Sequence, residues 1–119
     1  MRGREAGNAG ETAACAYLQK KGWHILERNY TVRGGEIDII AADGACIVFV
    51  EVKARKNTLY GYPSEFVSEK KKKRLISAAL DYCGDDCCMR FDVIEVMYEE
   101  ICGRVYIKEI NHIENAFEG

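Results

Sequence analysis

The chain has 119 residues, one domain's length, of which 48% are hydrophobic and 30% charged. That mix excludes a disordered tail, and the longest apolar run, residues 46–50, falls far short of the roughly 20 residues that span a bilayer. The amino terminus, MRGREAGNAG, starts basic but has no apolar stretch behind it, so a cytoplasmic protein without a secretory leader is expected. With 17 basic against 19 acidic residues the net charge is −2, which argues against holding nucleic acid by bulk positive charge.

From residue 4 to 21 small and apolar residues recur at helical spacing (Ala6, Gly10, Ala13, Ala14, Tyr17, Leu18), and Gly22 supplies a stop. Residues 23–32 form the first expected strand, ended by Gly34-Gly35. Residues 36–42 and 46–55 are β-rich runs joined by a hairpin at Asp43-Gly44. A polar loop, 56–63, ends at Pro63. Residues 64–83 return to helical spacing, with Leu75, Ile76, Ala79, Leu80 and Cys83 on one side. Strands over 89–98 and 104–111 and a short tail complete the order αβββαββ. The expected fold is a single α+β domain over residues 1–119, a mixed sheet of about five strands flanked by helices.

Six cysteines are about 5% of the chain, too few for a disulfide scaffold, and reduced thiols are the expected state. Cys83, Cys87 and Cys88 are the tightest group, while Cys15, Cys46 and Cys102 stand where a small hydrophobe fits. There is no CxxC pair, and only His24 and His112 are on hand to complete a site, so structural zinc is the minor alternative.

The hairpin carries most of the chemistry. A turn at Asp43-Gly44 sets Ala42 opposite Ala45, Ile40 opposite Ile47, Asp38 opposite Phe49 and Glu36 opposite Glu51. Strand alternation then puts Glu36, Asp38, Glu51 and Lys53 on one face. Ile37, Ile39, Val48, Val50 and Val52 take the other, an aliphatic face that needs a helix against it. Asp38 and Glu51 become diagonal neighbours, about 7–8 Å apart at Cα. Two accounts fit this pattern. Either the charged face is open to water, with Lys53 pairing Glu51, or the acids hold a divalent cation, which takes oxygen ligands. The second suits metal-assisted phosphodiester hydrolysis. Asp38, Glu51 and the Val52 backbone carbonyl would be the ligands, and Lys53 would orient water or stabilise charge at phosphorus. Glu11 shares a helical stripe with Gly7, Ala14 and Leu18 and is a further candidate ligand, the alternative being a border glutamate near Lys20 or Arg4. Glycine and alanine in that stripe allow the helix to approach the sheet closely.

The strings Gly34-Gly35-Glu36-Ile37-Asp38-Ile39-Ile40 and Phe49-Val50-Glu51-Val52-Lys53-Ala54-Arg55 resemble the YraN-like family of small bacterial proteins. Leu59-Tyr60-Gly61, Lys71 with Leu75 and Ala79, Arg90-Phe91-Asp92-Val93 and Asn115-Ala116-Phe117 extend the resemblance over nearly the whole chain. It implies a restriction-endonuclease-like, PD-(D/E)xK fold similar to archaeal Holliday-junction resolvases. It further implies Asp38 as the central aspartate, Glu51 and Lys53 as the E-x-K pair, Glu11 as the helix-one acid, and Mg2+ or Mn2+ as cofactor. Glu36 matches the family's GEID motif and is assigned as a second ligand or water-positioning acid. Ile37 stands where a proline often precedes the aspartate.

Lys70-Lys71-Lys72-Lys73-Arg74 opens the second helix, and Lys53, Arg55 and Lys56 leave the third strand. The two clusters can border one groove, with Lys70, Lys71, Lys73, Arg74, Arg55 and Lys56 on phosphates and Tyr60 stacking on a base; a solubility face is the alternative. With no base-reading motif, binding to backbone shape is expected. The leading expectation is a metal-dependent endonuclease on DNA, branched or damaged structures included. A non-catalytic nucleic-acid-binding or scaffold protein that keeps the nuclease fold is the alternative. A homodimer is the form that a two-fold symmetric substrate would favour, and no membrane partner is expected.

Overall fold

The computed structural model describes residues 2–56, 68–84 and 87–117, with side chains from residue 7 onward. Two helices, α1 (Arg2–Lys20) and α2 (Glu69–Cys83), cover opposite faces of one sheet. Its strands are β1 (His24–Val32), β2 (Gly35–Asp43), β3 (Cys46–Lys56), β4 (Met89–Ile101) and β5 (Arg104–Phe117). They lie side by side in chain order, antiparallel except for β3 and β4, which run parallel because α2 carries the chain back across the sheet. The expected αβββαββ order and α+β class hold.

Each helix buries its own core. Ala14, Cys15 and Leu18 of α1 pack with Trp23 on Ile39, Ala41, Val48, Val50, Ile94 and Val96. Leu75, Ala78 and Ala79 of α2 pack on Ile37, Ile40, Phe49, Phe91, Val93 and Phe117. The close approach of α1 is built in at Gly10, where a Cβ would sit 3.2 Å from the Ala54 Cβ. On the other face Gly35 lets β2 pass under α2; a Cβ there would lie 2.6 Å from the Arg74 carbonyl oxygen.

Several expectations need correction. The hairpin turn is Gly44-Ala45, with Asp43 opposite Cys46, because Gly44 supplies the positive φ (62°) that the first turn position takes. Partners therefore slide by two residues, so Ile40 faces Phe49, and the paired residues from Ile39 and up to Val50 keep their faces. Ile37 does not join Ile39; it packs under α2 with Ile40 and Phe49. At Glu51 the face bearing the acids is buried beside Lys71 of α2 rather than open to water, whereas Glu36 stays exposed. The described part of the second helix begins at Glu69, capped by Ser68, whose Oγ accepts from the Lys71 N–H at 3.2 Å; residues 64–67, like Tyr60 and the rest of 57–67, lie outside the described residues. Finally, the expected tail is strand. β5 runs to Phe117, which stacks on Phe91 with ring centroids 5.0 Å apart.

The thiols depart from expectation too: Cys83 and Cys87 form a disulfide.

Candidate active site

The β2–β3 ladder ends at the Ile39–Val50 pair. Beyond it the Val52 N–H donates to Asp38 Oδ2 at 2.8 Å. An aspartate side chain thus takes the bond that a strand carbonyl would otherwise accept. The two acid side chains lie close enough to interact.

Their environment is unfavourable to two charges. Glu51 is only 7% exposed. Its Oε2 accepts from Lys71 Nζ of α2 at 3.1 Å, while Oε1 is buried with no hydrogen-bond donor among the described residues. Burial, reinforced by the charge of Glu51, pushes the Asp38 carboxyl up to about 7, against the opposing pull of the Val52 N–H and the Lys71 ammonium. A surface ion pair does not behave this way, so the solvated-face account fails at Glu51. Among the described residues no group of three or more His, Cys, Asp or Glu is arranged to hold a metal.

The other candidates distribute around this pair. Lys53 is half-buried on the face of Glu51, in register with Glu95 of β4. Glu36 is exposed, on the wall of a cleft of about 470 Å³ that it shares with Thr31, Val32, Gly35, Lys71 and Arg74. Glu11 lies on α1 and pairs with Arg28 of β1 at 3.3 Å; the described residues give it no bond to Lys20, Asp38 or Glu51, and the side chain of Arg4 lies outside the described residues. The basic clusters are partly neutralised. Arg55 pairs with Glu95 (3.7 Å), Lys56 with Glu100 (3.0 Å) and Lys72 with Glu69 (2.9 Å). Lys70, Lys73 and Arg74 are exposed, and Lys71 turns inward.

Two features escaped the sequence reading. Glu95, 8% exposed, lies on the same face as Glu51 and accepts from Asn111 Nδ2 at 3.0 Å. On the α1 face Asp92, 1% exposed, joins Arg90 (2.9 Å to each carboxylate oxygen), His112 Nε2 (2.7 Å) and the Asn115 N–H (3.0 Å). His112 in turn lies 3.1 Å from Tyr17 Oη and edge-on to Trp23. Burial alone would raise Asp92, but the bonds from His112, Arg90 and the Asn115 N–H hold it at about 2. The signal for both was present, since each is an acid inside an apolar strand, where an unpaired charge is not tolerated.

No helix among the described residues is long and apolar enough to cross a membrane. Compared with known proteins, residues 10–96 match the model of the uncharacterised protein family UPF0102. A UPF0102 protein of Clostridioides difficile (strain 630) is 48% identical over 98% of this chain and all of its own length. UPF0102 proteins of Geobacter metallireducens and Caldicellulosiruptor saccharolyticus are 42% and 44% identical, over 99% and 98% of this chain and 96% and 100% of theirs. The chain therefore belongs to the UPF0102 family, the YraN-like proteins that its motifs resemble.

Proposed function

We propose that this protein is a divalent-cation-dependent phosphodiester hydrolase acting on DNA, with branched or damaged DNA as the favoured substrate class. The observation that supports this best is Glu51 Oε1, buried with no hydrogen-bond partner among the described residues, beside the raised carboxyl of Asp38. Two interacting acids, one with a buried oxygen that no described residue bonds, fit a hard cation such as Mg2+ or Mn2+. The Val52 carbonyl is the third donor, since a strand residue's C=O and N–H leave on the same side and the N–H already reaches Asp38. When bound, such an ion activates a water and neutralises charge on the scissile phosphate. Lys53, on the face of Glu51, orients the attacking water or offsets charge at phosphorus. Lys71 and Arg74 on the cleft wall, with exposed Lys70 and Lys73 beside them, hold backbone phosphates without reading bases. Glu36 acts at the mouth of this cleft as a water-positioning acid rather than as a direct ligand.

The Lys71–Glu51 ion pair favours a second reading, a non-catalytic DNA-binding protein that keeps the nuclease fold, because it balances the acid pair with a cation from the chain itself. Incubation of the purified protein with Mn2+ and linear, nicked or four-way DNA separates the two. Cleavage that EDTA abolishes and Glu51→Ala loses supports hydrolysis. Equal cleavage by Glu51→Ala refutes it, and DNA retention without cleavage selects the second reading.

A further inference from the structure

Away from the acid pair, four sulfurs gather where β3 and β4 begin. Cys83 and Cys87 are bonded to each other across the end of α2, and Cys88 follows directly in the chain. Cys46 precedes Ile47, which is in register with Met89, so Cys46 stands opposite Cys88 on the neighbouring parallel strand. The Ile47 N–H donates to the Cys88 carbonyl at 2.8 Å and fixes the two backbones in that register. Their sulfurs are 2.6 Å apart. Cys88 is exposed and Cys46 half-buried.

We propose that Cys46 and Cys88 form a reversible dithiol–disulfide site whose reaction partner is a low-molecular-weight disulfide. The exposed Cys88 reacts first. Its thiolate attacks one sulfur of the small disulfide, forming a mixed disulfide and expelling one thiolate, which takes up the proton that Cys88 gave to solvent. Cys46 Sγ, already within reach, loses its proton and attacks Cys88 Sγ, expelling the second small thiol. Two protein thiols are oxidised by two electrons and one small disulfide is reduced to two thiols. The low reactivity of Cys46 alone fits this order, since burial and the neighbouring Cys88 hold its thiol up at about 11. The product bond covalently joins the first residue of β3 to the residue preceding β4, which lies 42 positions away in the chain. Such a staple removes freedom from the unfolded chain.

The test treats the purified protein with oxidised glutathione after reduction, then maps peptides without reductant. The expected product is a Cys46–Cys88 linked peptide that dithiothreitol releases. It should be accompanied by a rise in melting temperature on the order of 10 °C that Cys88→Ser abolishes, measured in a Cys83→Ser/Cys87→Ser background. Because Cys88 is exposed, that variant should fold, and the peptide map of the unmodified chain needs no variant. Two free thiols after oxidation, or a glutathione adduct on Cys88 that never closes onto Cys46, would overturn the proposal. So would stoichiometric zinc retained by the reduced protein and lost in Cys46→Ser, which would make the sulfurs metal ligands instead.

Discussion

Replacing Asp38 by Asn tests the electrostatics of the acid pair without disturbing its frame, since the amide oxygen still accepts the Val52 N–H. The Asp38 carboxyl is raised from 3.8 to about 7, so the folded chain binds this proton more tightly than the unfolded one does. Its contribution to stability is complete below about pH 4 and is lost as pH rises through 7. A shift of about 3 units at 1.36 kcal/mol each makes the loss on the order of 4 kcal/mol at most. Urea unfolding in EDTA at pH 5 and pH 8 measures it. The wild type is expected to lose stability between these values, and Asp38→Asn to lose markedly less and to be the more stable protein at pH 8. Added Mg2+ should then stabilise the wild type at pH 8 but not the variant. An Asp38→Asn protein that is less stable than the wild type at pH 8 in EDTA, or that keeps the same pH slope, would show that the pair is not under strain.

Asp92 titrates in the opposite sense: held at about 2, it contributes stability that is lost as pH falls from about 4 through 2, and Asp92→Ala is expected to cost roughly 3 kcal/mol or more at pH 7 by stripping Arg90 and His112 of their partner, measured by urea unfolding. Gly35→Ala drives a Cβ against the Arg74 carbonyl and should cost about 1–3 kcal/mol, whereas Gly7→Ala, with open space around it on a helix, should stabilise by up to about 1 kcal/mol; equal effects would mean that α2 does not press on β2. Lys71→Met leaves Glu51 buried without a counter-charge, so the variant should be destabilised in EDTA by about 3 kcal/mol and recover more than the wild type on adding Mg2+, read from melting temperatures. Lys53→Ala should keep cation binding, followed by calorimetry, while losing Mn2+-dependent cleavage of DNA; retention of both activities would remove Lys53 from the chemistry.

How far the fold was legible depends on what kind of signal each element carries. Periodicity located both helices and all five strands because each covers a two-sided core. Alternation alone placed Asp38 and Glu51 on one face even though the turn was misplaced, since a slip of two residues preserves the face. What alternation cannot see is where strands part. Ile37 left its expected face, and Glu36 drifted to the cleft wall, at the stretch where the β2–β3 ladder gives way to the Asp38–Val52 bond. Long-range pairing was equally hidden. Nothing in a run of lysines distinguishes Lys71, which reaches Glu51, from Lys73, which faces solvent, until α2 is laid on the sheet. The pairing of Glu11 with Arg28 of β1 was hidden for the same reason, since helical spacing says nothing of which strand residue meets it. The net charge of −2 also changes meaning, since several basic residues of the expected groove spend their charge on Glu51, Glu69, Glu95 and Glu100.

The most direct measurement is a crystal structure of the protein grown with Mn2+, using the anomalous signal to locate the ion. The proposed function requires a peak bound by Asp38 and by Glu51 Oε1, with Lys71 Nζ displaced from Glu51 towards the cleft, and no such peak in Glu51→Gln. An acid pair still clamped by Lys71 at saturating Mn2+, with no peak between the carboxylates, would contradict it.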